Sequence, residues 1–336
     1  MKESLLPKVS IVIVTYNART SLGNILDKAI LSALNQTYSN IEVIVVDNGS
    51  LDETADYVGK MFGNKVKIVK LSKNYGYCLA VNLALRYIDK SSKYVLFQNS
   101  DAILAEDYVE KLLVVAEQDP RIAALQGLEL NPGNKTHGKI GGCLDLLGYF
   151  RELRIRREEE TNIYVARSCI EVPFIFGAAM LVRRDIFEII GGFPADFFMY
   201  YDEPDLAFRL RSLGYKLKSC INTYYLHYVG FTVSRLHELS LVPLYFNRRN
   251  RLRIIIRYYY GKYLILALIH NFTVIIGSIL TKSSFVRRAL IRILLDIPRY
   301  LRRDVIVRKR YISGLRRDNV LKGLICRDSP IWRLML

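Results

Sequence analysis

Continuous apolar runs of strand length alternate with helix-period stretches through the first hundred residues. The runs 9–14, 41–46, 66–71 and 94–98 predict four strands buried on both faces. Leu22, Ile25, Leu26, Ala29, Ile30, Ala33 and Leu34 recur at helical spacing and predict a helix with Thr20 at its cap. Another helix is expected from Asn74-Tyr75-Gly76 to about Ile88. This alternation predicts an α/β fold with a largely parallel sheet and helices on both faces. Residues 127–167 lack a clear period and read as an excursion over the sheet, with a solvated charged run at 151–160. After an apolar segment at 173–182, helices are expected over 184–190 and from Pro204, the latter with a stripe at Leu206, Leu210 and Leu213 and a stop at Gly214.

Polar residues collect where the predicted strands end: Thr15-Tyr16-Asn17, Asp47-Asn48, Asn74 and Asn99-Ser100-Asp101. In open α/β sheets ligands bind beyond the carboxyl ends of the strands. Turn preference accounts for each Asn or Asp alone, but not for four successive strand ends carrying acids and amides. A second cluster, Asp202, Glu203 and Asp205 around Pro204, sits at the mouth of a predicted helix. There a carboxylate meets unpaired N–H groups and apolar neighbours can tune its pKa. Simple capping by acids is the plain alternative for that segment.

The chain has 336 residues, 51% hydrophobic and 24% charged, which are globular values. Its formal charge of +17 is lopsided: residues 243–336 hold 21 Lys and Arg against 4 Asp and Glu, leaving residues 1–242 formally neutral. Two regions are therefore expected, 1–242 and a basic helical 243–336. The five cysteines are odd in number and widely spaced, with no C-x-x-C pair, which argues against a disulfide framework or a structural zinc site. The N-terminus shows no secretory pattern, so a cytoplasmic setting is expected.

Eight segments in order resemble the nucleotide-sugar glycosyltransferases of family 2, especially their rhamnosyltransferase-like branch. They are VSIVIVTYNA at 9–18, IEVIVVDNGSLDET at 41–54, KNYGYCLAVNLAL at 73–85, FQNSD at 97–101, GAAMLVRRDIFEIIGGF at 177–193, FFMYYDEPDLAFRLRSLGYKL at 197–217, LHYVGFT at 226–232 and FNRRNRLRIIIRYY at 246–259. The resemblance implies a GT-A (Rossmann-like) fold, with a nucleotide-sugar half at about 8–101 and an acceptor half at about 102–242. It also implies inverting transfer from a dTDP- or UDP-linked sugar. Thr15, Tyr16, Asn17, Asp47 and Asn48 would hold the nucleoside, with Asp47 accepting from a pyrimidine imide N–H. Asn74, Gly76, Asn82 and Asn99 would face ribose, diphosphate or sugar. Asp101 and His227 would hold Mg²⁺ or Mn²⁺ on the diphosphate, since hard cations prefer such ligands and keep substrate phosphates in their shell. Glu203 takes the place of the family's catalytic base and Asp202 that of the acid before it. The pair reads Asp-Glu where the family has Glu-Asp, so either can be the base, and Asn99-Ser100-Asp101 replaces the usual Asn-Pro-Asp.

Residues 263–281 contain no Asp, Glu, Lys or Arg, near the length that crosses a bilayer. Basic residues flank both sides, which fits a helix lying in the interface better than a single span. Beyond it, Phe285, Val286, Ala289, Leu290, Ile293 and Leu294 alternate helically with arginines, the pattern of a helix on an anionic membrane surface. The expected enzyme is thus peripheral or monotopic on the cytoplasmic face of the membrane, acting on a lipid-linked glycan acceptor. A nucleic-acid-binding tail and a catalytically silent family member are the alternatives. The first leaves the strand-end acids without a purpose, and no nucleic-acid partner is expected.

Overall fold

The computed structural model describes residues 6–156, 169–228, 241–281, 284–317 and 325–326. The first part of the chain runs β1 (Val9–Thr15), α1 (Ala18–Leu22), α2 (Asn24–Leu34), β2 (Ile41–Asp47), α3 (Thr54–Phe62), β3 (Lys67–Lys70), α4 (Tyr77–Ala84) and β4 (Tyr94–Asn99). The middle continues with β5 (Ala102–Leu104), α5 (Tyr108–Ala116), β6 (Ile122–Asn131), β7 (Asn134–Leu144), β8 (Phe150–Arg156), β9 (Cys169–Glu171) and β10 (Ala179–Arg183). The last part is α6 (Arg184–Ile189), α7 (Asp202–Ser212), β11 (Lys216–His227), α8 (Leu241–Tyr258), α9 (Gly261–Thr281) and α10 (Ser284–Arg317).

The sheet order is β3-β2-β1-β4-β10-β6-β11-β5. The first four strands are parallel, β10 enters antiparallel between β4 and β6, and β11 runs parallel to β6. Register sets Thr15 beside Asp47 and Val14 beside Asn99, so three strand ends meet on one edge. Alternate residues feed opposite faces. Ile11, Ile13, Val43 and Val45 join α2 in one core, while Val12, Ile44 and Val46 join α4 and α7 in the other. Each such side chain contributes about 1.5–3 kcal/mol on full burial.

Several expectations are corrected. The stretch 127–156 is not irregular: β6, β7 and β8 pair in succession, and the remainder of the charged run lies outside the described residues. Thr20 does not cap a helix; it lies inside α1, and Asn17, in the left-handed region at φ 48°, precedes that helix. Helix α7 begins at Asp202, placing Asp202 and Glu203 in its first turn with Asp205 instead of ahead of Pro204. Four of the five cysteines are paired, Cys143–Cys326 and Cys169–Cys220, leaving Cys78 buried and free. Sequence spacing misled here because pairing depends on adjacent Cβ positions: β9 lies on β11 with Cys169 opposite Cys220.

The basic C-terminal stretch packs against the rest of the fold. Ile254, Ile255, Tyr258, Tyr259, Ala267 and Tyr311 belong to the same core as the sheet and α7. Arg249, Arg251, Arg253 and Arg257, which read as flanking charge in the sequence, are all buried.

Candidate active site

A cleft of about 760 Å³ opens along the strand ends. One rim is made by Thr15, Tyr16, Asn48, Asn74, Gly76 and Asn99, the other by Phe198 to Glu203 together with Gly177. Asp101, Glu129 and His227 lie along the same wall region.

The 74–76 rim is braced from the β2 end. The Asn48 amide donates to Asn74 Oδ1 at 3.0 Å, Tyr75 N donates to Asn48 Oδ1 at 2.9 Å, and Gly76 N to Asn74 Oδ1 at 2.8 Å. Gly76 has φ +78°, and a Cβ there would sit 2.5 Å from the Phe198 ring, so only glycine lets the two rims approach. The opposite rim is strained. Phe198, Tyr200 and Tyr201 are three of the five non-glycine residues with positive φ among those described. Such clustering costs of order 1–3 kcal/mol per residue and persists where surrounding structure enforces it. Here Asn250 of α8 enforces it by donating to the carbonyls of Phe197, Met199 and Tyr200 at 2.8–3.0 Å.

That loop delivers two carboxyls of different character. Asp202 is buried, and burial followed by repulsion from Glu203 raises its pKa well above the ordinary range. Glu203 is half-buried and accepts from Gly177 N at 3.2 Å. Burial raises it too, but backbone N–H groups and a hydrogen bond from Asp202 pull it back. Both carboxyls are thus shifted upward, the larger shift falling on Asp202. Asp205 serves elsewhere: it meets Arg209 at 2.7 Å, Arg257 at 2.7 Å and the Tyr258 hydroxyl at 2.6 Å. Against burial, the two guanidinium groups hold its carboxyl below the usual range.

Across the cleft, His227 at the end of β11 lies between Asp101 and Glu129, each 3.4 Å from a ring nitrogen. Burial would lower its pKa, but the two carboxylates outweigh burial and push it up to about 9. Glu129 is held down to about 2, His227 and Lys139 overcoming burial. Buried His227 Nδ1 has no aligned hydrogen bond despite that proximity. Asp101 thus offers an oxygen donor, and His227 a nitrogen beside it once an ion displaces the ring proton that the two carboxylates hold. No cluster of three His, Cys, Asp or Glu among the described residues forms a closed cage. This donor set fits a hard divalent ion that completes its shell with phosphate oxygens and water.

Three expected site residues do not line the cleft. Asn82 is corrected: its amide brackets Phe193, accepting from N at 2.9 Å and donating to O at 2.8 Å, so it fixes the turn before the strained loop. Asn17 accepts from Leu51 N at 2.8 Å, and Asp47 binds the Ser50 N–H and hydroxyl, so both order the turns behind the rim. Glu129 and Lys139 (Nζ to Oε1 3.0 Å) were missed. The available signal was an acid interrupting the apolar run 122–130, which costs too much to bury without a cation.

The profile described as Glycosyl transferase family 2 matches residues 10–191, more than half of the chain. The chain belongs to glycosyltransferase family 2. Its fold is GT-A. It is 28% identical over 226 residues to the N-acetylglucosaminyl-diphospho-decaprenol L-rhamnosyltransferase of Mycobacterium tuberculosis, covering 61% of this chain and 71% of that relative. It is 31% identical over 121 residues to an uncharacterised glycosyltransferase of Haemophilus influenzae, which spans 35% of this chain and only 36% of that relative. Among solved structures, a mannosyltransferase of Pyrobaculum calidifontis in complex with GDP-Man and Mn²⁺ superposes with TM-score 0.53 at 18% identity, covering 95% of this chain and 88% of that one. At that identity the likeness speaks for the fold alone. This family 2 chain resembles rhamnosyltransferases in sequence, as the ordered motifs implied.

Proposed function

We propose that this family 2 protein transfers a sugar, with inversion, from a dTDP- or UDP-linked donor to a hydroxyl of a lipid-linked acceptor. The observation that carries the reading is the placement of Glu203. It sits in the first turn of α7, just after the strained loop, and lines the cleft that also contains Asp101 and His227. In the proposed reaction the acceptor O–H gives its proton to the Glu203 carboxylate as the oxygen forms its bond to the anomeric carbon. The bond from that carbon to the diphosphate oxygen breaks, and the electron pair leaves with the nucleotide diphosphate. Asp202, retaining its proton, orients Glu203 without competing for the acceptor's proton. Asp101 and His227 would hold Mg²⁺ or Mn²⁺, which when bound neutralises charge developing on the diphosphate. Asn48, Asn74 and Asn99 present amides to the ribose and phosphates, and Tyr16 a ring to the base.

The lipid-linked acceptor is supported by the diphospho-decaprenol substrate in the mycobacterial relative's name. It is supported too by α9, the one helix among the described residues long and apolar enough to cross a membrane. Its Asn271, halfway along, donates to Leu147 O at 2.9 Å and accepts from Arg251 at 2.7 Å, fastening one face to the catalytic unit. Ile265, Leu266, Ile269, Ile276 and Leu280 are exposed. A helix docked along one side is suited to lie in the cytoplasmic interface, not to be ringed by lipid.

The test is a panel of nucleotide sugars with Mn²⁺, read first by thermal stabilisation and then by turnover. We expect Glu203→Gln to cut kcat about 10²–10⁴-fold while donor stabilisation survives. Asp101→Ala should lose metal-dependent stabilisation. Failure of every donor to stabilise the wild-type protein under any metal condition would sink the reading.

A further inference from the structure

A second cavity, of about 490 Å³, lies behind the strained loop and is lined by Asp196, Phe198, Phe246, Arg249, Arg299 and Arg303. Phe198 lines both this cavity and the main cleft. Its ring stacks on Phe246 of α8 at 4.8 Å and 11°, so one aromatic pair forms the partition between the two spaces.

The charge here is unbalanced. Asp196 is the only acid lining the cavity among the described residues, and it is already engaged by Arg253 at 2.6 Å and by Arg303 at 3.2 Å. Asp304 is taken by Arg253 and Arg257, and Asp205 by Arg209 and Arg257. Arg249 and Arg299 have no carboxylate partner among the described residues. Arg249 is fixed all the same: it donates to the carbonyls of Asp196 and Phe197 at 2.8 and 2.9 Å, and its guanidinium lies 4.7 Å from the Phe246 ring centre. Arg299 and Arg303 come from α10 on an exposed face. On that helix Leu295, 74% exposed, precedes Arg299 by one turn, and Ile306, 60% exposed, follows Arg303. A cavity with excess guanidinium, bordered by an exposed apolar strip and sharing a wall with the reaction cleft, has the chemistry of a site for a phosphate ester with a hydrocarbon tail.

We propose that Arg249, Arg299 and Arg303 bind the phosphate or diphosphate of the acceptor, holding its sugar on the cleft side of Phe198 and its lipid along α10. This rests on the sugar-transfer reading for its purpose, but the binding itself needs neither donor nor metal. An inorganic anion alone could supply the same phosphate chemistry, so the two sources are compared directly.

The experiment titrates the full chain with octyl diphosphate below its micelle concentration, in EDTA and without nucleotide, by calorimetry. The wild type should bind. Arg299→Gln combined with Arg303→Gln should weaken binding at least tenfold with an unchanged thermal midpoint, because both side chains are exposed. Arg287→Gln combined with Arg288→Gln, on the same helix three turns earlier, should stay within twofold. Inorganic pyrophosphate should bind at least tenfold more weakly than the octyl ester. No binding by the wild type, an equal loss in the Arg287/Arg288 control, or pyrophosphate binding as tight as the ester would each overturn the assignment. A negative donor panel alongside positive octyl diphosphate binding would count against the transfer reaction and leave this site standing.

Discussion

Glu203 and Asp202 differ by one sequence position and by surroundings that the sequence only hinted at. The acid pair itself was legible, as were the amides of Asn48, Asn74 and Asn99. Their local type and their place after apolar runs depend on neighbours in the chain. Asn82 and Glu129 were not legible, because their roles depend on Phe193 and His227, 111 and 98 positions away along the numbering. The raised pKa values of the pair have an energetic consequence. An acid whose folded pKa exceeds its unfolded value binds more protons folded than unfolded between the two, so stability falls as pH rises through that window. In the proposed reaction activity moves oppositely, since Glu203 would have to be ionised to accept the acceptor's proton. Asp202→Asn, which removes one of these ionisations, is therefore expected to raise the thermal midpoint at pH 8 by roughly 1–2 °C, about 1 kcal/mol. The gain should shrink toward pH 5. Scanning calorimetry of both proteins across that range checks it; a midpoint lowered at pH 8 refutes it.

At the scale of elements, the four early strands and their helices were predictable because each satisfies a two-sided burial pattern locally. The hairpin of β6 to β8 was not, since β7 is broken by glycines and its pairing is decided by β6 and β8. The placement of α7 depends on elements still further away. Arg257 of α8 joins Asp205 of α7 to Asp304 of α10 at 2.7 and 2.6 Å, all three buried. Arg257→Met leaves two buried carboxylates short of a cation and is expected to destabilise the fold by about 3–5 kcal/mol. Urea unfolding followed by tryptophan and tyrosine fluorescence measures this. A change below about 1 kcal/mol would mean the network is dispensable.

For the whole molecule, the basic composition of residues 243–336 was read from the sequence as a surface property. Part of it proves internal: Arg249, Arg251, Arg253 and Arg257 are buried and face acids, amides and aromatic rings. What remains outside is an apolar face on α9 beside the arginines of α10. Changing Ile265, Ile269 and Ile276 together to Ser should lower partitioning onto phosphatidylglycerol vesicles by at least tenfold, each side chain being worth about 1.5–3 kcal/mol when fully buried. The partner arm uses neutral phosphatidylcholine vesicles, where wild-type binding should also be weaker. Co-sedimentation reads both, and unchanged partitioning of the triple variant would remove α9 from the membrane contact.

The bonds from Asp205 to Arg257 and from Arg257 to Asp304 also order events during synthesis. A chain emerging from the ribosome presents the donor-side strands first, and they can pair at once. The helix bearing Glu203 lacks its full set of partners until Asp304 has emerged, about a hundred residues later. By then α9 is already outside the ribosome. The acid corner is thus completed only after the chain has displayed its apolar helix, so the buried charge network that fixes Asp205 and the exposed apolar face of α9 arise in the same interval of synthesis.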